Sequence, residues 1–231
     1  ALFRKAVYLF FVSFGLFLLG HCRPSSPLLI YPPSKIESIE GYGSLRVSGD
    51  RGAGRSKISF LFELPHQARM AVLDVMGRTL YQIFINEEKA VIALARQKAY
   101  WQGEEEEVVE NSLGFRLSLE ELIGLLSGSW EEGGTKGGED ILEQWNFEKD
   151  REGRAVSGQR GELRFEVKEF FAETRFARLV AFEHPSSRGS LKVLGLTFNQ
   201  PLGKDSFSLS FLEGYERKDW AEIEKMLRHE N

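Results

Sequence analysis

The residues from which chemistry could be built are few and scattered. The four histidines, His21, His66, His184 and His229, stand apart, with no HExxH pair and no cysteine–histidine cluster. The spacing that holds a metal ion is therefore missing. Glu104 to Glu107 form an acidic run. Four consecutive carboxylates at a helix start point in several directions, which suits the positive end of a helix dipole better than acid–base work. Gly52-Ala53-Gly54 has the glycine spacing of a phosphate loop, yet no helix follows it and alternating segments flank it, which is a hairpin pattern. No GxSxG and no Ser/His/Asp arrangement points to a hydrolase. These residues give no support to an enzyme, a metal or a cofactor.

The single cysteine, Cys22, has a more specific setting. Arg4 and Lys5 precede an uncharged stretch from Ala6 to Gly20, about 15 residues. That is short of the roughly 20 apolar residues of a spanning helix and fits a secretory signal peptide over 1–21. Leu19-Gly20-His21-Cys22 then reads as a lipoprotein cleavage site in which His21 replaces the usual small residue. Two readings stay open: Cys22 is acylated, or it is an ordinary cysteine beside an uncleaved anchor. The first is favoured because the one cysteine lies at the boundary itself, where acyl chains would add ~0.8 kcal/mol of membrane affinity per methylene. Residues 22–35, with Arg23-Pro24-Ser25-Ser26-Pro27 and Pro32-Pro33, read as a Pro/Ser tether.

Behind the tether, residues 36–231 must hold whatever function there is. Ile58, Phe60, Phe62 and Leu64 alternate with polar neighbours, as residues on one face of a strand do. Strands are expected over Ala68–Val75, Thr79–Ile85, Ala90–Ala95, Ala99–Trp101, Trp145–Phe147, Glu162–Val167, Phe176–Phe182, Leu191–Phe198 and Ser206–Phe211. Two helices interrupt them: one from Glu104 to Gly114, and one opened by the capping box Ser118-Leu119-Glu120-Glu121 and closed by Gly128. A last helix starts at Asp219, with Trp220, Ile223, Met226 and Leu227 on one face. So few helical residues cannot cover both faces of a large sheet. The expected fold is mainly β: an incomplete antiparallel barrel with helices plugging its concave side. Eighteen phenylalanines imply a large apolar interior, packed or open. The net charge of −4 argues against nucleic acid.

Three segments carry a resemblance to the LolA/LolB superfamily, and to its LolB-like members in particular. Ala71-Val-Leu-Asp-Val-Met-Gly-Arg-Thr-Leu80 resembles a strand–loop–strand whose loop bears a protruding apolar residue. Glu107 to Gly128 resembles the two midway helices, and Cys22 resembles the acylated residue. The likeness spans about residues 41–200 and leaves an extension from about 201. It implies a hydrophobic cavity that holds the acyl chains of lipoproteins or lipids. The protein would receive them from a LolA-like carrier and insert them at the outer membrane, which it faces from the periplasm on its own lipid anchor. Val75, Met76 and Gly77 match the membrane-inserting loop. Met76 can also be read as a core residue under a turn. Candidate cavity residues are Phe60, Phe62, Leu80, Phe84, Leu163, Phe165, Leu194 and Phe198, although either strand parity could face inward. A second reading is a sensor or scaffold lipoprotein that docks a protein partner through the Trp220 face of the last helix.

Overall fold

Alternating apolar residues build a sheet when one face can be covered, and the computed structural model shows how this chain covers it. The structure describes residues 29–228 except 51, 75, 88 and 129–144. The expected signal peptide, Cys22, residues 22–28 of the tether and Val75 lie outside the described residues. Twelve strands are seen among the described residues: β1 (Ser38–Gly49), β2 (Gly52–Glu63), β3 (Gln67–Leu73), β4 (Thr79–Asn86), β5 (Lys89–Leu94), β6 (Ala99–Glu104), β7 (Asn146–Lys149), β8 (Ala155–Arg160), β9 (Leu163–Phe170), β10 (Ala177–His184), β11 (Ser187–Phe198) and β12 (Glu216–Arg217). Helices α1 (Glu105–Leu113) and α2 (Leu119–Ser127) fall between β6 and β7, and α3 (Trp220–Arg228) ends the described chain. Among the described residues no helix is long and apolar enough to cross a membrane.

The strands form one sheet in the order β12-β6-β5-β4-β3-β2-β1-β11-β10-β9-β8-β7. Two meanders, β1–β6 and β7–β11, are joined by the long antiparallel β1–β11 pairing, and only β12 on β6 is parallel. Strands β7 and β12 form the two edges, so the barrel is open. The expected incomplete barrel with helices is what the chain forms.

One face is apolar row after row. Gly43, Ile58, Val72 and Tyr81 pair across four strands; Gly41, Phe60, Met70, Ile83, Ile92 and Trp101 form the next row; Ile39, Phe62, Ala68, Ile85 and Ala90 form a third. Phe147, Gly158, Phe165, Phe182, Gly189 and Val47 continue the face into the second meander. Glycines in these rows make room for rings. A Cβ on Gly41 would lie 2.4 Å from the Phe60 ring, on Gly158 2.4 Å from Phe165, and on Gly103 2.3 Å from the Trp101 indole. The rings lie flat over their neighbours and bury more area than upright side chains would.

Two expectations change. Ser206–Phe211 is not a strand: it runs through turns into a 3-10 turn at Ser210–Leu212, because Glu216 and Arg217 take the ladder position beside β6. Phe211 instead packs against Phe84, the ring centres 5.1 Å apart and the planes tilted. The packed domain also begins earlier than residue 36. Ile30 is buried in the inner cluster, while Tyr31 and the prolines after it stay exposed.

If ring space is what β1 supplies, Gly41→Ala should destabilise by about 1–3 kcal/mol, the usual cost of overpacking. Gly54→Ala, whose Cβ would meet nothing within 4 Å, should be neutral or slightly stabilising. Denaturant unfolding of both variants checks the contrast.

Candidate functional site

The β3–β4 hairpin is built by one residue. The Asp74 backbone amide donates to the Arg78 carbonyl at 2.9 Å, and the Gly77 amide donates to the Asp74 carbonyl at 3.0 Å. The Asp74 carboxylate accepts from the Arg78 amide at 2.9 Å and from its Nε at 2.6 Å. Gly77 has φ +82, which glycine adopts without strain. The backbone hydrogen bond from Arg78 holds the Asp74 carboxyl below its ordinary range, with the guanidinium adding to the effect. Met76 sits at the tip and is 78% exposed. The reading of Met76 as a core residue is thus excluded.

The β7–β8 hairpin repeats this turn. Asp150 and Arg154 exchange the same backbone bond at 3.0 Å, and Gly153 donates to Asp150 at 3.0 Å. The Asp150 carboxylate again takes the Arg154 amide and Nε, at 2.9 and 2.8 Å. Gly153 has φ +77. Both turns read Asp-x-x-Gly-Arg, but one tip is Val75-Met76 and the other Arg151-Glu152. They also point in opposite directions. Asp150–Arg154 lies at the end where the chain enters the sheet, with Ser38, Glu63 and Gln67 in register there, and Met76 lies at the other end.

Above the inner face, α1 and α2 form a lid. The Glu104 amide donates to Glu107 at 3.0 Å, and the expected Ser118–Glu121 capping box is present. Gly114 and Gly128 end the two helices in the left-handed region. Glu121 does more than cap. It is 2% exposed and is the only buried charged side chain among the described residues. Its carboxylate pairs with Arg160 of β8 and accepts from the Trp145 indole at 2.7 Å. Arg160 also lies over the Trp145 ring, 5.1 Å from its centre. A charge is thus held under the lid by two donors from outside α2, Arg160 and Trp145, which fixes that helix against the second meander. The sequence marked Glu121 as a cap; its cross-sheet partners, 24 and 39 residues away, could not be read there.

The expected cavity residues divide. Phe60, Phe62 and Phe198 lie in the inner cluster of the first meander, and Leu163 and Phe165 in that of the second. The other three do not line the inner face. Phe84 is buried on the opposite face with Val91 and Ala93, under Phe211 and Leu212. Leu80 and Leu194 are each the extra residue of a β-bulge, opposite Val72/Leu73 and Tyr42/Gly43 respectively. The bulge in β11 shifts the parity, so that Leu196 takes the inward position, while on β4 Tyr81 keeps step with inward Ile83 and Ile85 and Leu80 shares the parity of Phe84.

The interior beneath the helices is filled. Phe171, Ile92, Leu94, Val193 and Ile223 are each 1% exposed or less. A hollow of about 1110 Å³ lies instead over β7–β10 and the end of β1, walled by Arg46, Arg164, Arg188, Glu148, Glu166 and Glu183 among others. These side chains alternate with Phe165 and Phe182, so the hollow is a polar trough on the back of the twisted sheet. It differs from the apolar cavity expected from the sequence. The Trp220 face of α3 is also occupied: Ile223 is fully buried, and Trp220 meets Trp101 edge-on at 5.8 Å. It is not a free docking surface. Among the histidines, His66 and His184 lie at opposite ends of the sheet, and His21 and His229 are outside the described residues.

No family model matches the sequence, and no curated protein matches it. Structures do. A LolA superfamily protein from Nitrosomonas europaea superposes with a TM-score of 0.51 at 7% identity, over 76% of this chain and 92% of that one. The chain has the LolA-type fold. A Desulfovibrio piger protein of the DUF1329 family (TM-score 0.49, 7% identity, 78% of this chain and 92% of that one) and a Vibrio parahaemolyticus domain described as an outer membrane lipoprotein-sorting protein (0.46, 9%, 78% and 93%) are also similar. The fold assignment rests on the first. In this LolA-type sheet, the lid is pinned by Glu121 and the exposed tip is Met76.

Replacing Arg160 with Met should leave the Glu121 carboxylate buried without its cation and cost about 3–5 kcal/mol. Glu121→Gln keeps an acceptor for Trp145 and should cost less. Amide hydrogen exchange should quicken first in α2, and unchanged protection of that helix would show that the pair does not hold the lid.

Proposed function

We propose that the protein is an envelope lipoprotein that binds acyl chains of lipoproteins or lipids against its inner face and passes them to a membrane through the Met76 hairpin. The observation that carries this reading is the pair of Asp-x-x-Gly-Arg turns. The same backbone geometry is built with Arg151-Glu152 at its tip, so folding does not demand an apolar residue at Met76. An exposed methionine that the turn does not require is free to enter a bilayer, and its flexible thioether adapts to lipid.

The filled interior is compatible with this role. Helices α1, α2 and α3 have nine residues each, too short to be stable away from the sheet. They stay because they bury apolar area at ~25 cal/mol per Å². An acyl chain repays the same area at the same rate, so exchanging helix contacts for chain contacts is nearly balanced. Half-buried Ile58, Met70 and Tyr81 lie on the part of the inner face nearest Met76, where such a chain would enter.

The reading includes acylation at Cys22 and a periplasm-facing position at the outer membrane, with a LolA-like carrier as the donor and no catalytic step. Its geometry is consistent with one bilayer receiving both anchor and tip. From Cys22 to the buried Ile30, eight residues reach at most ~28 Å, and the seven residues of β3 that separate the entry end from the hairpin rise ~23 Å.

Two variants test the reading. Met76→Glu should change stability by no more than about 0.5 kcal/mol, as exposed substitutions do, while delivery of an acylated protein to liposomes falls at least tenfold. Full delivery by this variant would remove the hairpin from the mechanism. Cys22→Ala should move the protein from the membrane pellet to the soluble fraction of expressing cells; retention in the pellet would mean that residues 6–20 are an uncleaved anchor.

A further inference from the structure

The outer face of the sheet gathers positive charge beside the Met76 hairpin. Arg188 and Lys192 of β11, Arg46 of β1, and Arg55 and Lys57 of β2 are exposed on that one face. In register they form three rows, Arg188–Ser48–Ala53, Ser190–Arg46–Arg55 and Lys192–Ser44–Lys57. Strand β11 has no acidic residue, Glu40 and Glu63 lie toward the entry end of β1 and β2, and Asp50 sits in the β1–β2 turn. On β10, Glu183 opposes Arg188 in register without forming an ion pair with it. The unopposed charge therefore centres on Arg46 and Arg55. These two face each other directly, and like charges so placed destabilise a sheet. Neither of them, nor Lys192, forms an ion pair among the described residues. Serines hold two of the guanidiniums by one side: Arg55 donates from Nε to the Ser44 hydroxyl at 3.2 Å, and Arg188 from Nε to the Ser48 hydroxyl at 3.4 Å. Their Nη groups are left for a ligand, and that fork matches the oxygens of a phosphate. Packing gives no reason for two opposed arginines in water; an anionic partner does.

Position along the sheet sets what that partner would be. Lys57 is in register with Leu73, the residue before Asp74 of the hairpin. Arg55, two residues further on, is level with the Met76 tip one strand away, and Arg46 lies on the next strand, roughly 10 Å from β3. An exposed apolar tip with cations beside it is the arrangement by which proteins sit at a charged membrane interface. On the reading that Met76 enters a bilayer, we propose that the β11–β1–β2 strip binds the phosphate headgroups of anionic phospholipids in that same bilayer. A bilayer suits the strip better than a small anion does, because its cations are spread over three strands and all of them are exposed. Each basic residue close to an anionic surface strengthens binding about fivefold. The net charge of −4 would otherwise oppose the approach. The strip thereby selects the receiving membrane and sets the angle at which the hairpin meets it.

Delivery of an acylated protein by the full chain should be followed to liposomes of phosphatidylcholine alone and of phosphatidylcholine mixed with phosphatidylglycerol. At low salt the wild type should favour the anionic liposomes by about fivefold or more, and raising the ionic strength should erase the preference. Arg46→Gln/Arg55→Gln should lose the preference and keep the wild-type rate to neutral liposomes. Its unfolding midpoint should hold or rise, since a like-charge pair is removed. Equal wild-type rates to the two liposomes, or a preference that survives in the double variant, would overturn the role of the strip and leave the Met76 hairpin standing. A preference abolished by inorganic phosphate at matched ionic strength would make the strip a free-phosphate site and overturn the proposal as well. Slower delivery by the double variant to both liposomes alike would overturn it in favour of a dock for an acidic donor protein. If the wild type delivers to neither liposome, the acyl-transfer reading itself fails and this inference falls with it.

Discussion

The inner face of the sheet presents apolar side chains in successive rows, and leaving such area in water costs ~25 cal/mol per Å². The sheet is open, so its curvature cannot hide that face as a closed barrel would. It must be covered by something, and among the described residues the cover is three helices of nine residues together with Ile30 near the chain entry. Strand pairing, the long β1–β11 seam and the ring-over-glycine contacts all present this face. The helices, two of them stopped by glycines, shield it.

A cover of this kind has two properties that pull against each other. Its apolar contacts are non-directional, so another apolar body can replace them at little net cost. The ion pair and indole bond at Glu121 are directional, and they tie α2 to β8 and Trp145 in one arrangement. The packed interior and the proposed ligand exchange meet at that point. The carboxylate is stable under the lid only while Arg160 and Trp145 face it, so the lid has a defined closed position and no equally satisfied open one. A ligand that opens it must offset the loss of those bonds with its own buried area.

The two Asp-x-x-Gly-Arg hairpins show how the fold separates scaffold from site. In each, aspartate and arginine fix the backbone and glycine supplies the left-handed residue, while the side chain before the glycine differs, Met76 in one and Glu152, paired with Arg154, in the other. One tip is charged, and the other ends in a methionine almost wholly in water. Chemistry at such a tip can change without changing the fold, which is why the difference between the two carries functional meaning.

The sequence by itself determined the elements whose cause is local. Alternation gave most strands, and Ser118 and Glu121 with Gly114 and Gly128 gave the helix limits, whereas the exposure of Met76 was left open until the structure placed it at a hairpin tip; Cys22 and its preceding apolar stretch can be read only in the sequence. What lay outside local reach had to wait for the tertiary structure. The length of β1 is masked by its glycines and serines, whose reason is the rings packed over them from other strands. The inward position of Leu196 follows from a bulge, and an added residue reverses parity without altering the composition that a sequence displays. Phe84 faces outward because Phe211, more than a hundred residues later, covers it. Glu121 meets its cation only when β8 comes beneath α2. Period and capping are short-range constraints written into neighbouring residues, whereas facing, burial and charge pairing depend on which distant segment the sheet brings alongside.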